Sequence, residues 1–174
     1  MSSSRKSVPA CWEWFTEGRY GAFIHWGPYA EYGRGEQVLF REHMDPKAYE
    51  ERACRWNPQR FDPQRWAHVI RKAGMKYACF TTRHHDGYCL WDTRYTDYSS
   101  ARQAPGRDFV REFADAFRAE GLRVGLYYSW ADWRIPAFFD GPDKDPDGWE
   151  AMRRYMHGQV EELLTNYGRI DHFF

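Results

Sequence analysis

Apolar residues fall along this chain in two alternating periods. Short runs of five to seven residues, Tyr20–Trp26, Tyr77–Thr82 and Val124–Tyr128, have the length and content of buried strands. Longer segments between them carry apolar residues three and four apart. After Asp62 and Pro63, residues Trp66, Val69, Ile70 and Ala73 repeat at helical spacing, and Gly74 ends the run. After Asp108, Phe109, Phe113 and Phe117 lie four apart, and Gly121 stops them. A short helix is expected from Pro46 to about Cys54, after a polar loop from Pro28 to about Asp45. A long loop is expected around Pro136, Gly141, Pro142 and Pro146. A last helix carries Trp149, Met152, Met156, Val160, Leu163 and Tyr167 on one stripe. Gly168 stops it, and Ile170–Phe174 begins a fourth strand.

Strands thus recur about every fifty residues with helices between them. That order predicts an α/β fold with right-handed crossovers and a parallel sheet. Four such units make the first half of a (β/α)8-type barrel, with a four-stranded open sheet as the rival. The chain stops inside the fourth strand on Phe173-Phe174, so the expectation is a chain that breaks off within a larger domain.

Chemistry-bearing residues gather where these strands end. Thr81-Thr82-Arg83-His84-His85-Asp86-Gly87 follows the second strand, His25-Trp26-Gly27 the first, and Tyr127-Tyr128-Ser129 closes the third. Burying such groups without a partner is costly, and parallel α/β proteins keep their sites at the C-terminal strand ends. Tyr127 and Tyr128 point to opposite faces, so only one of them can face a pocket.

Composition changes this picture little. Lys plus Arg and Asp plus Glu number 25 each, so long-range electrostatics support neither a nucleic-acid nor an anionic-membrane partner. Aromatic residues make up 19% of the chain, a surplus that fits either an aromatic-lined cleft or a ring-filled core. The four cysteines form no C-x-x-C pair, so a structural zinc site is not expected. Met1–Ala10 has charge but no apolar stretch of the signal-peptide kind. A cytoplasmic protein with free thiols is expected, or an exported one if the true start lies upstream. No run is long enough to span a membrane.

Taken together, Gly21-Ala22-Phe23-Ile24-His25-Trp26-Gly27, Lys76-Tyr77 through His84-His85-Asp86-Gly87, Leu90-Trp91-Asp92, Gly125-Leu126-Tyr127-Tyr128-Ser129, Asp132-Trp133 and Gln159–Gly168 resemble the α-L-fucosidases of glycoside hydrolase family 29. The resemblance runs from about Trp12 to Phe174. It implies that residues 1–174 are the N-terminal portion of a fucosidase-type (β/α) barrel catalytic domain. It also implies retaining hydrolysis of terminal α-L-fucose from a fucosylated glycan or fucoside, with no cofactor and no metal. The nucleophilic Asp is expected just after Phe174 and the acid/base carboxylate later still, so the printed segment is expected to bind fucose without turning it over.

By the same resemblance His25, His84, His85 and Tyr127 contact the sugar, and Trp26 packs beneath the site or fills the barrel end. Glu36 either holds fucose hydroxyls or is a solvated loop acid, since Gln37 stands where the family has Trp. Trp91 and Trp133 line the cleft or belong to the core. Asp86 orients a histidine or caps the turn that follows it.

Two rival functions stand beside this. A non-catalytic fucose-binding segment or inactive relative fits the absent carboxylates. A metal-dependent hydrolase fits the ligand types of His84, His85, Asp86 and His25. Adjacent histidines on a strand point apart, however, and the H-E-x-x-H spacing is absent. Half a barrel leaves an apolar face uncovered, which predicts self-association, so a homo-oligomer is among the expected states.

Overall fold

The computed structural model describes residues 9–174. The leader reading of Met1–Ala10 therefore falls almost wholly outside the described residues. The elements are α1 (Glu13–Gly18), β1 (Gly21–Ile24), α2 (Val38–Arg41), α3 (Pro46–Arg55), α4 (Pro63–Lys72), β2 (Tyr77–Arg83), α5 (Phe109–Ala119), β3 (Arg123–Tyr128), α6 (Pro136–Lys144), α7 (Pro146–Thr165) and β4 (His172–Phe173). The four strands form one sheet in the order β1-β2-β3-β4, every pair parallel. This is the half-barrel arrangement that the alternating pattern predicts.

Aspartate side chains start the helices. Asp45, Asp62, Asp108 and Asp145 each accept a hydrogen bond from the backbone N–H three residues on, at 2.8–2.9 Å. Those bonds satisfy amides that the first helical turn leaves unpaired. Pro46, Pro63 and Pro146 occupy the first helical position, where a missing N–H costs nothing.

Three helices escape the sequence pattern. α1 and α2 are one or two turns long, too short to show a period. α6 occupies the segment expected as a loop. Its backbone breaks at Gly141 (φ 76°), and Pro142 starts a second turn, so two short proline-initiated turns read as punctuation in the sequence. Conversely, α7 ends at Thr165, and Tyr167 lies beyond it. The Tyr167 hydroxyl donates to Asp108 Oδ2 at 2.6 Å, tying the chain after α7 to the cap of α5.

The strand alternation sorts side chains onto two faces. Ala78, Phe80, Val124 and Leu126 face the helices and are fully buried. Phe80 stacks on Phe113 with ring centroids 4.7 Å apart, and Phe113 contacts Phe117 at 4.1 Å. Burying rings of this size supplies most of the driving force for packing helix on sheet. The opposite face carries Phe23, Tyr127 and Phe174, whose rings contact one another at 5.4–5.8 Å. Phe174 keeps 69% of its surface exposed, so this inner face is uncovered in the described residues.

Two threonines of β2 bond across to the neighbouring strands. Thr81 Oγ1 donates to the Ile24 carbonyl at 2.9 Å, and Thr82 Oγ1 donates to the Tyr127 carbonyl at 2.8 Å. β1 ends at Ile24 rather than Trp26. The β2–β3 register also shifts between Thr81 and Arg83. His25 and His84-His85 therefore leave their strands at the same edge of the sheet.

Candidate functional site

Three rings meet above the ends of β1, β2 and β3. His25 lies 5.4 Å from His84 and 5.3 Å from Tyr127, and His84 lies 5.6 Å from Tyr127, centroid to centroid. His85 adjoins His84 at 4.1 Å, and Trp133 packs against His85 at 5.1 Å. His25, His84 and Tyr127 lie more than forty positions apart in the sequence, and the parallel register brings them together. Tyr127 reaches the cluster because alternation turns Tyr128 to the other face. There the Tyr128 hydroxyl donates to Gln159 Oε1 and accepts from Arg83.

The cluster is electrically neutral near pH 7. Burial lowers the pKa of His84 to about 3, and the neighbouring His85 and His25 push the same way. Burial also lowers His25 and His85, while the Glu36 carboxylate opposes the shift at both. Glu36 is half-buried and its charge acts on Tyr127 as well, so its loop faces the same pocket. A neutral imidazole can donate from one nitrogen and accept at the other, which suits a sugar hydroxyl. Among the described residues His84 Nδ1 is buried without a hydrogen-bond partner.

Two expected site residues lie elsewhere. Trp26 is turned to the helix side, where it packs on Trp56 and Phe61 at 4.7 Å and on Phe109 at 5.1 Å. It is next to His25 in sequence, so the period of two directs it away from the pocket. Trp91 is fully buried, and its Nε1–H donates to Glu162 Oε2 at 3.1 Å on α7, so it is a core residue rather than a cleft wall. Trp133 is partly exposed beside His85 and also contacts Phe40 at 5.3 Å.

Asp86 turns away from the histidines. It accepts from the Tyr49 hydroxyl at 2.7 Å and from the Tyr88 amide at 3.3 Å, so it caps the turn at Gly87. Asp132 is buried and accepts three hydrogen bonds from Arg134, with Arg83 3.6 Å away. Burial works against its charge, but the bonds from Arg134 and the charges of Arg83 and Arg134 outweigh that and hold its carboxyl below the usual range. Neither carboxylate points into the ring cluster. Among the described residues no three His, Cys, Asp or Glu side chains are grouped to hold a metal ion.

The support beneath the histidines has weaker sequence signals. Arg83 has no exposed surface, and it donates to Tyr128 at 2.7 Å and Gln159 at 2.9 Å. An arginine closing an otherwise apolar strand is the one hint of it. Tyr29 packs on His84 at 5.5 Å from a loop that shows no period at all. Gly87 has φ +76°, and a Cβ there would collide with the Arg134 guanidinium, so this turn requires glycine.

Comparison with known proteins agrees with this arrangement. The sequence model of the family described as Alpha-L-fucosidase matches residues 2–174. The alpha-L-fucosidase of Dictyostelium discoideum is 29% identical over 92% of this chain, and the tissue alpha-L-fucosidase of Bos taurus is 31% identical over 79% of it. The chain spans only 35% and 32% of the lengths of those two relatives. Among solved structures, alpha-L-fucosidase isoenzyme 1 from Paenibacillus thiaminolyticus is 47% identical with a TM-score of 0.84, covering 94% of this chain and 42% of its own. A Bacteroides thetaiotaomicron fucosidase trapped as a covalent intermediate with 2-fluoro-fucosyl fluoride is 30% identical with a TM-score of 0.88. It covers 99% of this chain and 42% of its own. A half barrel that raises two adjacent histidines, a third histidine and a tyrosine at its strand ends, and whose sequence matches along its whole described length, belongs to the alpha-L-fucosidase family of glycoside hydrolase family 29.

Proposed function

We propose that the complete protein hydrolyses terminal α-L-fucosides with retention of configuration. In this reading residues 1–174 supply the sugar-binding side of the site. The observation that carries it is the convergence of His25, His84, His85 and Tyr127 at the strand ends of a fold shared with fucosidases. Neutral imidazoles and a phenol in a partly dry pocket can hold a sugar by its hydroxyls, and the exposed Phe23 beside His25 (4.6 Å) offers an apolar surface to a deoxysugar.

Retention requires two carboxyl groups roughly 5–5.5 Å apart. Asp86 and Asp132 are committed to Tyr49 and to Arg134, which leaves them no such role. By the family resemblance, both catalytic carboxylates are assigned beyond Phe174, with the nucleophile first. Glu36 is assigned to fucose hydroxyls. The fit to a second reading, a binding protein without turnover, rests on the same pocket.

The test is hydrolysis of an aryl α-L-fucoside by the full-length protein, with the anomer released followed by proton NMR. Release of α-L-fucose ahead of mutarotation is expected. Release of the β-anomer, or binding of fucose without hydrolysis, would overturn the retaining assignment.

A further inference from the structure

We propose that Ser129 is a positioning residue that holds the His85 imidazole in its Nδ1–H form and so presents the Nε2 lone pair to substrate. The substrate half of this statement rests on the fucoside reading above; the tautomer does not.

The argument is one of hydrogen count. Ser129 Oγ lies 2.5 Å from His85 Nδ1 and 2.9 Å from the Ala131 carbonyl oxygen. A hydroxyl has one hydrogen to give, and a carbonyl has none. Were that hydrogen directed at His85, Oγ and the Ala131 oxygen would meet lone pair to lone pair. Directed at Ala131, it leaves two Oγ lone pairs, one to receive the His85 ring N–H and one to receive the Tyr127 hydroxyl, which also bonds to Ser129. Only a ring protonated on Nδ1 satisfies both contacts. The neutral state follows from burial, which lowers the His85 pKa. Nε2 then carries a lone pair, and it has no protein partner among the described residues.

The surrounding backbone keeps this geometry in place. The Ser129 amide donates to the Arg83 carbonyl at 3.1 Å, and the Trp133 amide donates to the His85 carbonyl at 2.9 Å. The 129–133 segment is thus pinned at both ends onto 83–85. Between them Asp132 is held from below by Arg83 and Arg134, and Arg83 also donates to the Ala131 carbonyl at 3.4 Å. The His85 ring packs against both His84 and Trp133. Alternation explains the choice of residue. Ser129 is two positions after Tyr127, so both face the pocket while Tyr128 faces the core.

The consequence is directional. A substrate hydroxyl that meets His85 must donate, so its oxygen stays free to accept from another group. The tautomer of a pocket histidine is set by the bond its other nitrogen makes.

The test uses full-length protein labelled with ring-¹⁵N histidine, with His85 signals assigned by their loss in His85→Gln. Near neutral pH the wild type is expected to show protonated Nδ1 and unprotonated Nε2. Ser129→Ala is expected to move the population toward Nε2–H and to lower kcat/KM on an aryl α-L-fucoside about tenfold, the scale of one hydrogen bond. It should still fold and melt cooperatively, with a loss no larger than that of one buried hydrogen bond. Ser129→Thr, which retains the hydroxyl, should restore both signals; if it does not fold, the first two proteins still decide. A protonated Nε2 in the wild type, or identical His85 spectra in wild type and Ser129→Ala, would overturn the proposal. The expected spectra from a protein that neither binds nor hydrolyses L-fucosides would leave Ser129 in its role and remove the substrate reading instead.

Discussion

Tyr49 donates its phenolic hydrogen to the Asp86 carboxylate across 2.7 Å in a buried contact between α3 and the turn after β2. This bond anchors the histidine-bearing turn to the first helical layer. Burial raises the Asp86 pKa to about 6, and the bonds from Tyr49 and Tyr88 only partly offset it. A carboxyl raised from its ordinary value binds protons more readily folded than unfolded. Its contribution to stability is complete below about pH 3.8 and is lost as pH rises through about 6. Asp86→Asn should therefore flatten the stability profile between those values. Tyr49→Phe, which leaves a buried carboxylate one donor short, should cost about 1.5–3 kcal/mol at pH 7. Urea melts at pH 4, 5, 6 and 7 measure both.

His84 works in the opposite direction. Its pKa is lowered to about 3 from an ordinary 6.5, so the folded protein binds fewer protons than the unfolded chain in that window. Its contribution is complete above about pH 6.5 and is lost as pH falls toward 3. His84→Gln should remove part of the acid destabilisation while weakening fucose binding at pH 7 by roughly tenfold or more. The same melts, paired with calorimetric titration of L-fucose, separate the two effects. Unchanged affinity would remove His84 from the site.

Trp91 offers a clean contrast between core and cleft. Replacing it with Phe deletes the donor to Glu162 and leaves a void in a fully buried position. A loss of about 1–3 kcal/mol is expected, with fucose affinity unchanged in the surviving folded protein. A drop in affinity without loss of stability would return Trp91 to the cleft.

Asp132 neutralises two arginines, one of them fully buried. Asp132→Ala leaves the Arg83 charge with only neutral partners. About 3–5 kcal/mol of destabilisation is expected, since breaking a buried pair costs far more than the pair itself contributes. Chemical denaturation of the full-length protein checks this. A change under 1 kcal/mol would show that water reaches Arg83 (the scale of a surface pair).

How much of this was legible in the sequence depends on the range of the interaction. The alternation of strand and helix, the caps at Asp62 and Asp108 and the stops at Gly74 and Gly121 are local signals, and they specified a parallel half barrel with its chemistry at the C-terminal strand ends. That Tyr127 and Tyr128 take opposite faces needs only the pleat, whereas the choice of Tyr127 for the pocket comes from the family resemblance and the packing of Tyr128 on Gln159 and Arg83. By contrast, α6 looked like a loop because its two prolines start short turns rather than break a long one. Adjacency in the sequence puts Trp26 with His25, but the strand period turns it to Phe61 and Trp56.

What only the tertiary structure decided is which polar groups are already spent. Asp86 and His85 adjoin in sequence, yet one is bound by Tyr49 and the other by Ser129. Arg83, Asp132, Arg134 and Gln159 form one network drawn from β2, α7 and the loop between β3 and α6, and no spacing along the chain reveals it. Hydrophobic periodicity is set by each segment's own face and so is written locally. The partner of a buried donor or acceptor is set by whichever distant strand or helix arrives beside it, and that is a property of the packed fold alone.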